Sequence, residues 1–248
     1  IVNVNDTPTN ISLSSTSVNE NESSGTTVGG LSSTDDDTGD NHTYTLVSGS
    51  GSTDNGSFAI SGSNLVTNAI FNFEVKNSYS VRIRTADSGG STYVKVFTIT
   101  IDNINDAPII ISNGGESTGS ISYSENSTDT VTTVTSTDVD ASSTATYSIH
   151  GTDAGDFTID PSSGVLTFNT SPNFESPTDG DGDNSYVVQV QVSDGTNTDT
   201  QTITVTVIDV NEFTPVITSD VGGSTASISN YAENSTSAVT TVTSTDGD

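Results

Sequence analysis

Ile101-Asp102-Asn103-Ile104-Asn105-Asp106-Ala107-Pro108 closes a run of alternating apolar residues, Val94-Lys95-Val96-Phe97-Thr98-Ile99-Thr100-Ile101. Alternation with period two reads as a half-buried β-strand. The strand ends in side-chain oxygens at Asp102, Asn103, Asn105 and Asp106 and stops at a proline. The same ending occurs as Asn3-Val4-Asn5-Asp6-Thr7-Pro8 and as Asp209-Val210-Asn211-Glu212-Phe213-Thr214-Pro215. A strand, then hard oxygen donors, then a residue that stiffens the chain is what a calcium-clamped joint between two β domains needs.

Working outward, the chain repeats itself. Residues 113–140 read NGGESTGSISYSENSTDTVTTVTSTDVD, and residues 221–248 read VGGSTASISNYAENSTSAVTTVTSTDGD, with Asp246 standing 108 residues beyond Asp138. An earlier, more diverged copy places Asp35 103 residues before Asp138. The expected organisation is a terminal stub (1–6), two whole repeats (7–106 and 107–212) and the opening third of another (213–248). The chain therefore reads as a piece of a longer protein.

Within the first repeat, strands are predicted near Ile11–Val18, Thr26–Leu31, Thr43–Val47, Ser57–Ile60, Asn64–Thr67, Tyr79–Thr85 and Thr92–Ile101. In the second, the clearest are Tyr186–Val192 and Gln201–Val207, the latter with Thr on one face and Ile or Val on the other. Clusters of Gly, Asn, Asp and Ser separate them, and no stretch has capped helical periodicity. About seven short strands per repeat of roughly a hundred residues predict an all-β fold, a tandem array of Greek-key seven-stranded β-sandwiches.

Composition narrows the function. There are 32 Asp and Glu against 4 Lys and Arg, a formal net charge of −28. Phosphate backbones and anionic membrane surfaces are excluded as partners by repulsion. Cations are favoured, as screening ions or bound ligands. Cysteine is absent, so disulfides and thiolate metal sites are excluded. No membrane-inserting stretch is visible. No acid, base and nucleophile converge, so no enzyme is predicted.

The order and spacing of five motifs resemble the cadherin family, specifically the cadherin-like tandem repeats of large bacterial surface proteins. Glu-Asn occurs as Glu20-Asn21, Glu125-Asn126 and Glu233-Asn234. Asp-x-Asp occurs as Asp35/Asp37, Asp138/Asp140 and Asp246/Asp248. A mid-repeat Glu ends Phe71-Asn72-Phe73-Glu74 and Pro172-Asn173-Phe174-Glu175, and an Asp follows the next strand as Asp87 and Asp194. The joint motif closes each repeat, and Phe157–Leu166 looks like the family's central hairpin.

The resemblance implies calcium between successive repeats. The first joint would draw on Glu20, Glu74, Asn103, Asn105 and Asp106 from one side and Asp138, Asp140 and Asp194 from the other. The second would draw on Glu125, Glu175, Asp209, Asn211 and Glu212, met by Asp246 and Asp248. Asp35, Asp37 and Asp87 would face a preceding repeat represented by Asn3, Asn5 and Asp6. Glu22 competes with Glu20, because it stands 13 residues before Asp35 as Glu125 stands 13 before Asp138. The first joint motif opens with Asn103 where the second has Asp209, so it carries less charge. The strand-swap adhesion of classical cadherins uses an N-terminal Trp, and this sequence has none.

The resemblance further implies an extracellular, cell-surface or secreted structural and adhesive array. Its partners would be neighbouring repeats, other copies of the protein, or a cell-surface glycan or protein. Glycan or partner recognition through the loops is the alternative function. Three local patterns are read as incidental. Asp179-Gly180-Asp181-Gly182-Asp183-Asn184 opens like an EF-hand loop but has Val190 at the twelfth position, and is taken as an acidic insertion with an extra ion site as its alternative. Gly115-Glu116-Ser117-Thr118-Gly119 matches a hydrolase elbow with no helix after it. His42 and His150 are read as ordinary loop or strand-edge residues.

Overall fold

The computed structural model describes residues 4–140, 143–219, 224–225 and 232–247. The chain divides into two compact units, Ile1–Asp106 and Ala107–Asp248.

Unit 1 is built from β1 (Asn10–Leu13), β2 (Ser17–Asn19), β3 (Thr27–Thr34), β4 (Thr43–Leu46), β5 (Phe58–Ser61), β6 (Asn64–Thr67), β7 (Ser78–Ala86) and β8 (Thr92–Asp102). They form two sheets, ordered β1-β3-β6-β5 and β2-β8-β7-β4. This is the Greek-key sandwich. The alternation seen in the sequence is the alternation of burial: Phe97, Ile99 and Ile101 on β8 point inward while Thr98 and Thr100 face solvent. Ile11, Leu65, Val81, Ile83, Ile99 and Ile101 are essentially sealed from water. Burying each such side chain contributes about 1.5–3 kcal/mol.

The stretch predicted as a single strand, Ile11–Val18, is instead two strands in two sheets. β1 pairs antiparallel with β3, whereas β2 pairs parallel with β8. The sequence carries the reason: Ile11 and Leu13 share one parity and Val18 has the other, so one continuous strand would turn Val18 to the wrong face. The crossing passes over Gly29, where a Cβ would lie 2.8 Å from both the N and the O of Ser15.

Unit 2 contains β9 (Ile109–Ile110), β10 (Thr118–Ser124), β11 (Thr132–Thr133), β12 (Ser136–Thr137), β13 (Thr146–His150), β14 (Phe157–Ile159), β15 (Val165–Phe168), β16 (Ser185–Ser193), β17 (Thr198–Ile208), β18 (Val216–Ile217) and β19 (Ser244–Thr245). One sheet is β10-β17-β16-β13, with β10 parallel to β17. Facing it are the β11-β15-β14 sheet and the β12-β9 pair. Val188, Val190, Val192, Ile203, Val205 and Val207 form the core from β16 and β17, and Leu166 and Val134 close it from the other side.

The β14–β15 hairpin shows how local chemistry sets the register. Asp160 Oδ1 accepts hydrogen bonds from the Ser162 and Ser163 N–H groups at 3.0 and 2.8 Å. These donors, Ser163 first, hold the Asp160 pKa below the ordinary value. Gly164 then adopts φ +71°, and a Cβ there would sit 2.1 Å from the Val134 carbonyl oxygen.

β18 and β19 pair as β9 and β12 do, with Val216 opposite Thr245 where Ile109 is opposite Thr137. Val239 and Val242 are exposed there, while their counterparts Val131 and Val134 are buried. Among the described residues the only helical elements are single 3₁₀ turns at Asn55–Ser57, Ser112–Gly114 and Ala154–Asp156. None of the helices is long and apolar enough to cross a membrane. Ser117 leads into strand β10, so the serine of the elbow-like pattern lacks the strand-to-helix turn that elbow requires.

Candidate metal centre

β2 ends at Asn19, and the next two residues build the site. The Glu20 N–H donates to the Asp102 carbonyl at 3.1 Å, which fixes it beside the end of β8. Asn21 then takes φ +61°, a left-handed conformation that asparagine tolerates better than most residues. The reversal turns the Glu20 side chain inward, where it is only 2% exposed. Its Oε2 accepts from Phe73 N–H at 2.7 Å and its Oε1 from Ile104 N–H at 2.9 Å. One buried carboxylate thus ties together the loop after β6 and the segment after β8.

That tie delivers the other donors. Phe71, buried against Phe58 and Tyr79, anchors the loop that carries Glu74. Asn21 Nδ2 donates to Asp106 Oδ1 at 3.0 Å. Oxygens of Glu20, Glu74 and Asp106 consequently lie within 4.8 Å of one another.

Unit 2 repeats the construction. Glu125 is 3% exposed. It accepts from Phe174 N–H on Oε2 and from Val210 N–H on Oε1, both at 2.8 Å. Asn126 has φ +58°, and its Nδ2 donates to Glu212 Oε2. Oxygens of Glu125, Glu175 and Glu212 converge within 4.8 Å. The Glu175 backbone N–H pulls that residue's pKa down. Burial and the charges of Glu125, Glu212 and Asp209 outweigh it and hold the pKa above the ordinary glutamate value.

Three carboxylates gathered this way repel one another. All four Lys and Arg of the chain, Lys76, Arg82, Arg84 and Lys95, lie in repeat 1, so repeat 2 has no ammonium or guanidinium of its own to offset them. A donor set made only of oxygens, with excess negative charge, fits a hard divalent cation such as calcium, which takes about six to eight oxygens in flexible geometry.

Glu20 belongs to the converging group, whereas Glu22 is exposed and lies outside it. Asn103 and Asn105 lie exposed on the segment after β8, and Asp209 and Asn211 on the segment after β17. Asn105 Nδ2 donates to the Asp106 carbonyl at 2.8 Å.

At the other end of unit 1, the Asp6 N–H donates to Asp37 Oδ2 at 2.6 Å and Asn5 Nδ2 to Asp87 Oδ2 at 3.1 Å. The Asp-x-Asp pairs share one turn: Asp37 N–H donates to Asp35 Oδ1 at 3.1 Å and Asp140 N–H to Asp138 Oδ1 at 2.9 Å. Asp194 Oδ1 accepts from the Thr196 and Asn197 N–H groups, capping the β16–β17 turn. Asp246 is exposed and accepts from Gly247 N–H. Asn3 and Asp248 lie outside the described residues.

His42 lies beside the Asp-x-Asp turn. Its Nε2 sits 3.1 Å from Asp35 Oδ2, and Asp35, Asp40 and His42 offer ligand atoms within 4.8 Å of one another. Sequence reading passed over Asp40 and took His42 for an ordinary loop residue. The available signal was their closeness to the Asp-x-Asp motif, five and seven residues beyond Asp35.

The model of the cadherin domain family matches residues 14–102 and 119–208. No curated protein matches the sequence. Among solved structures, protocadherin gamma B2 extracellular cadherin domains 3–6 superpose with a TM-score of 0.66 at 20% identity, covering 97% of this chain and 60% of that one. The protocadherin gammaB7 EC3-6 cis-dimer structure gives 0.57 at 21% identity, covering 97% and 61%. Mouse cadherin-23 EC22-24 gives 0.57 at 19%, covering 86% and 70%. The chain thus spans about 60% of the length of the first of these.

Proposed function

Since the chain belongs to the cadherin domain family, we propose that it is a calcium-stiffened extracellular array, the stalk or fibre of a large cell-surface adhesin. The match to the cadherin domain over both repeats supports an adhesion-type module. Calcium would be held by Glu20, Glu74 and Asp106 with Asn103 and Asn105, and met by Asp138, Asp140 and Asp194 of the following repeat. Glu125, Glu175, Asp209, Asn211 and Glu212 would serve the next joint with Asp246 and Asp248. Asp35, Asp37 and Asp87, with Asn3, Asn5 and Asp6, would form the joint before repeat 1.

One observation carries this reading: the same three-carboxylate group is assembled by the same hydrogen bonds at the end of both sandwiches. Solvation alone gives no reason for a buried Glu, a left-handed Asn and a joint carboxylate to recur together. The bound ion supplies positive charge that turns mutual repulsion into a cross-link. Extracellular calcium modules bind at roughly 10⁻⁴–10⁻³ M, so such joints fill outside cells and empty in cytosol.

Each domain is held by its own core, so removal of the ion frees the joint and leaves the sandwiches folded. Small-angle scattering in millimolar calcium and in chelator tests this. The expected result is a narrower, more extended distribution of dimensions with calcium, and superimposable profiles would overturn it. The rival reading, glycan recognition, calls for an exposed aromatic platform. Among the described residues Phe213 is the one exposed aromatic, and nothing in the site favours that reading.

A further inference from the structure

The two repeats solve one local problem in different ways. In repeat 1, Asp54 Oδ2 accepts from Ser80 N–H at 2.8 Å, and Asp54 Oδ1 is held by Lys76 Nζ at 2.5 Å. The same ammonium lies 4.5 Å from the centre of the Tyr79 ring. In repeat 2, Asp153 Oδ2 accepts from Val187 N–H at 2.7 Å, and Asp153 Oδ1 from Gly180 N–H at 2.9 Å. Tyr186 precedes Val187 as Tyr79 precedes Ser80. A backbone amide therefore stands where repeat 1 has an ammonium. It removes no negative charge, and the longer loop that brings it adds Asp179, Asp181 and Asp183.

Those three residues offer oxygens within 4.8 Å of one another. Asp181 and Asp183 face solvent, but Asp179 is only 7% exposed. Its Oδ2 accepts from Asp183 N–H at 2.8 Å, while its Oδ1 is shut away from water with no hydrogen-bond partner. A buried carboxylate oxygen without a donor is costly unless a cation meets it. The next residue, Asn184, also has a buried side-chain oxygen without a partner, and its Nδ2 is committed to the Phe174 carbonyl at 2.9 Å.

We propose that the Asp179–Asn184 loop of repeat 2 is a separate site for a hard divalent cation of calcium's size, which balances locally the charge that Lys76 balances in repeat 1. Asp179 Oδ1 is the inner ligand, and Asp181 and Asp183 close over the ion from the solvent side. Water and loop carbonyls complete the shell. The site is not an EF-hand: Val190 stands where the bidentate Glu would be, and strand β16 rather than a helix follows. It shares no residue with the Glu125 group, and it belongs to one repeat only.

Calorimetric titration of the 248-residue chain with calcium chloride tests it. The double variant Asp181→Asn/Asp183→Asn changes two exposed side chains and should keep the circular dichroism of the parent. It is expected to bind one calcium equivalent fewer. A Glu175→Gln/Glu212→Gln variant should retain the equivalent that the loop variant loses, which separates this site from the joint. Unchanged stoichiometry in a folded loop variant would overturn the proposal while leaving the joint reading intact. As a second check, Asp179→Asn should lose the same equivalent, and its retention there would also overturn the assignment.

Discussion

Ile104 N–H donates to Glu20 Oε1 at 2.9 Å, so a buried carboxylate at the end of the second strand fixes the chain just past the last. With Phe73 N–H on the other oxygen, Glu20 satisfies two backbone donors at once. Glu20→Ala is therefore expected to destabilise unit 1 by about 2–4 kcal/mol even in chelator, because the loss is of charge-assisted hydrogen bonds and of their orphaned donors. Urea unfolding of unit 1 measures it. A destabilisation seen only in calcium would mean that Glu20 acts through the ion alone.

Glu175 should behave in the opposite sense. Its pKa is raised in the folded state, so its contribution to stability is fully present below the ordinary glutamate value of 4.5 and is lost as pH rises through the raised value. At neutral pH without calcium, the charged group opposes folding. Glu175→Gln is then expected to stabilise the calcium-free chain at pH 7, with a gain that disappears below that ordinary value. In calcium the same change removes a ligand and should weaken binding by roughly tenfold. Thermal melts at both pH values, with and without chelator, check both signs.

Gly164 offers a test of the hairpin. A methyl group there meets the Val134 carbonyl oxygen on a backbone already at positive φ. Gly164→Ala should cost more than about 2 kcal/mol, from strain and lost register. Gly155, whose added Cβ meets nothing within 4 Å, is the control, and Gly155→Ala should change stability by less than about 0.5 kcal/mol. Equal effects at the two positions would contradict this account.

Most of the strands and the sandwich could be read directly, because period-two burial is written into residues such as Phe97, Ile99 and Ile101. The break between β1 and β2 was written there too, as a parity change between Leu13 and Val18, but a parity change shows that a strand bends and not which sheet receives it. The choice between Glu20 and Glu22 could not be made by counting from Asp35, since the loops between them differ in length. The asparagine that follows both Glu20 and Glu125 marks the corresponding turn, which the structure shows to be left-handed at each. For the Asp179 loop, the sequence showed an EF-hand-like opening without its closing Glu, which left an acidic insertion and an ion site both open. Which carboxylate oxygen is buried without a donor depends on how the loop is pinned, by Gly180 N–H on Asp153 and by Asn184 Nδ2 on the Phe174 carbonyl, and that is a property of the folded chain.

The parallel pairings have a consequence for how the array bears tension. Pulling the start of β2 away from the end of β8 slides two parallel strands past each other, so their hydrogen bonds are loaded together in shear. Three residue pairs resist in unit 1, from Ser17 opposite Thr100 to Asn19 opposite Asp102. Seven resist in unit 2, from Thr118 opposite Thr202 to Ser124 opposite Ile208. Stretched from its ends in single-molecule force spectroscopy, the molecule should give way first in unit 1, leaving unit 2 as the stronger link.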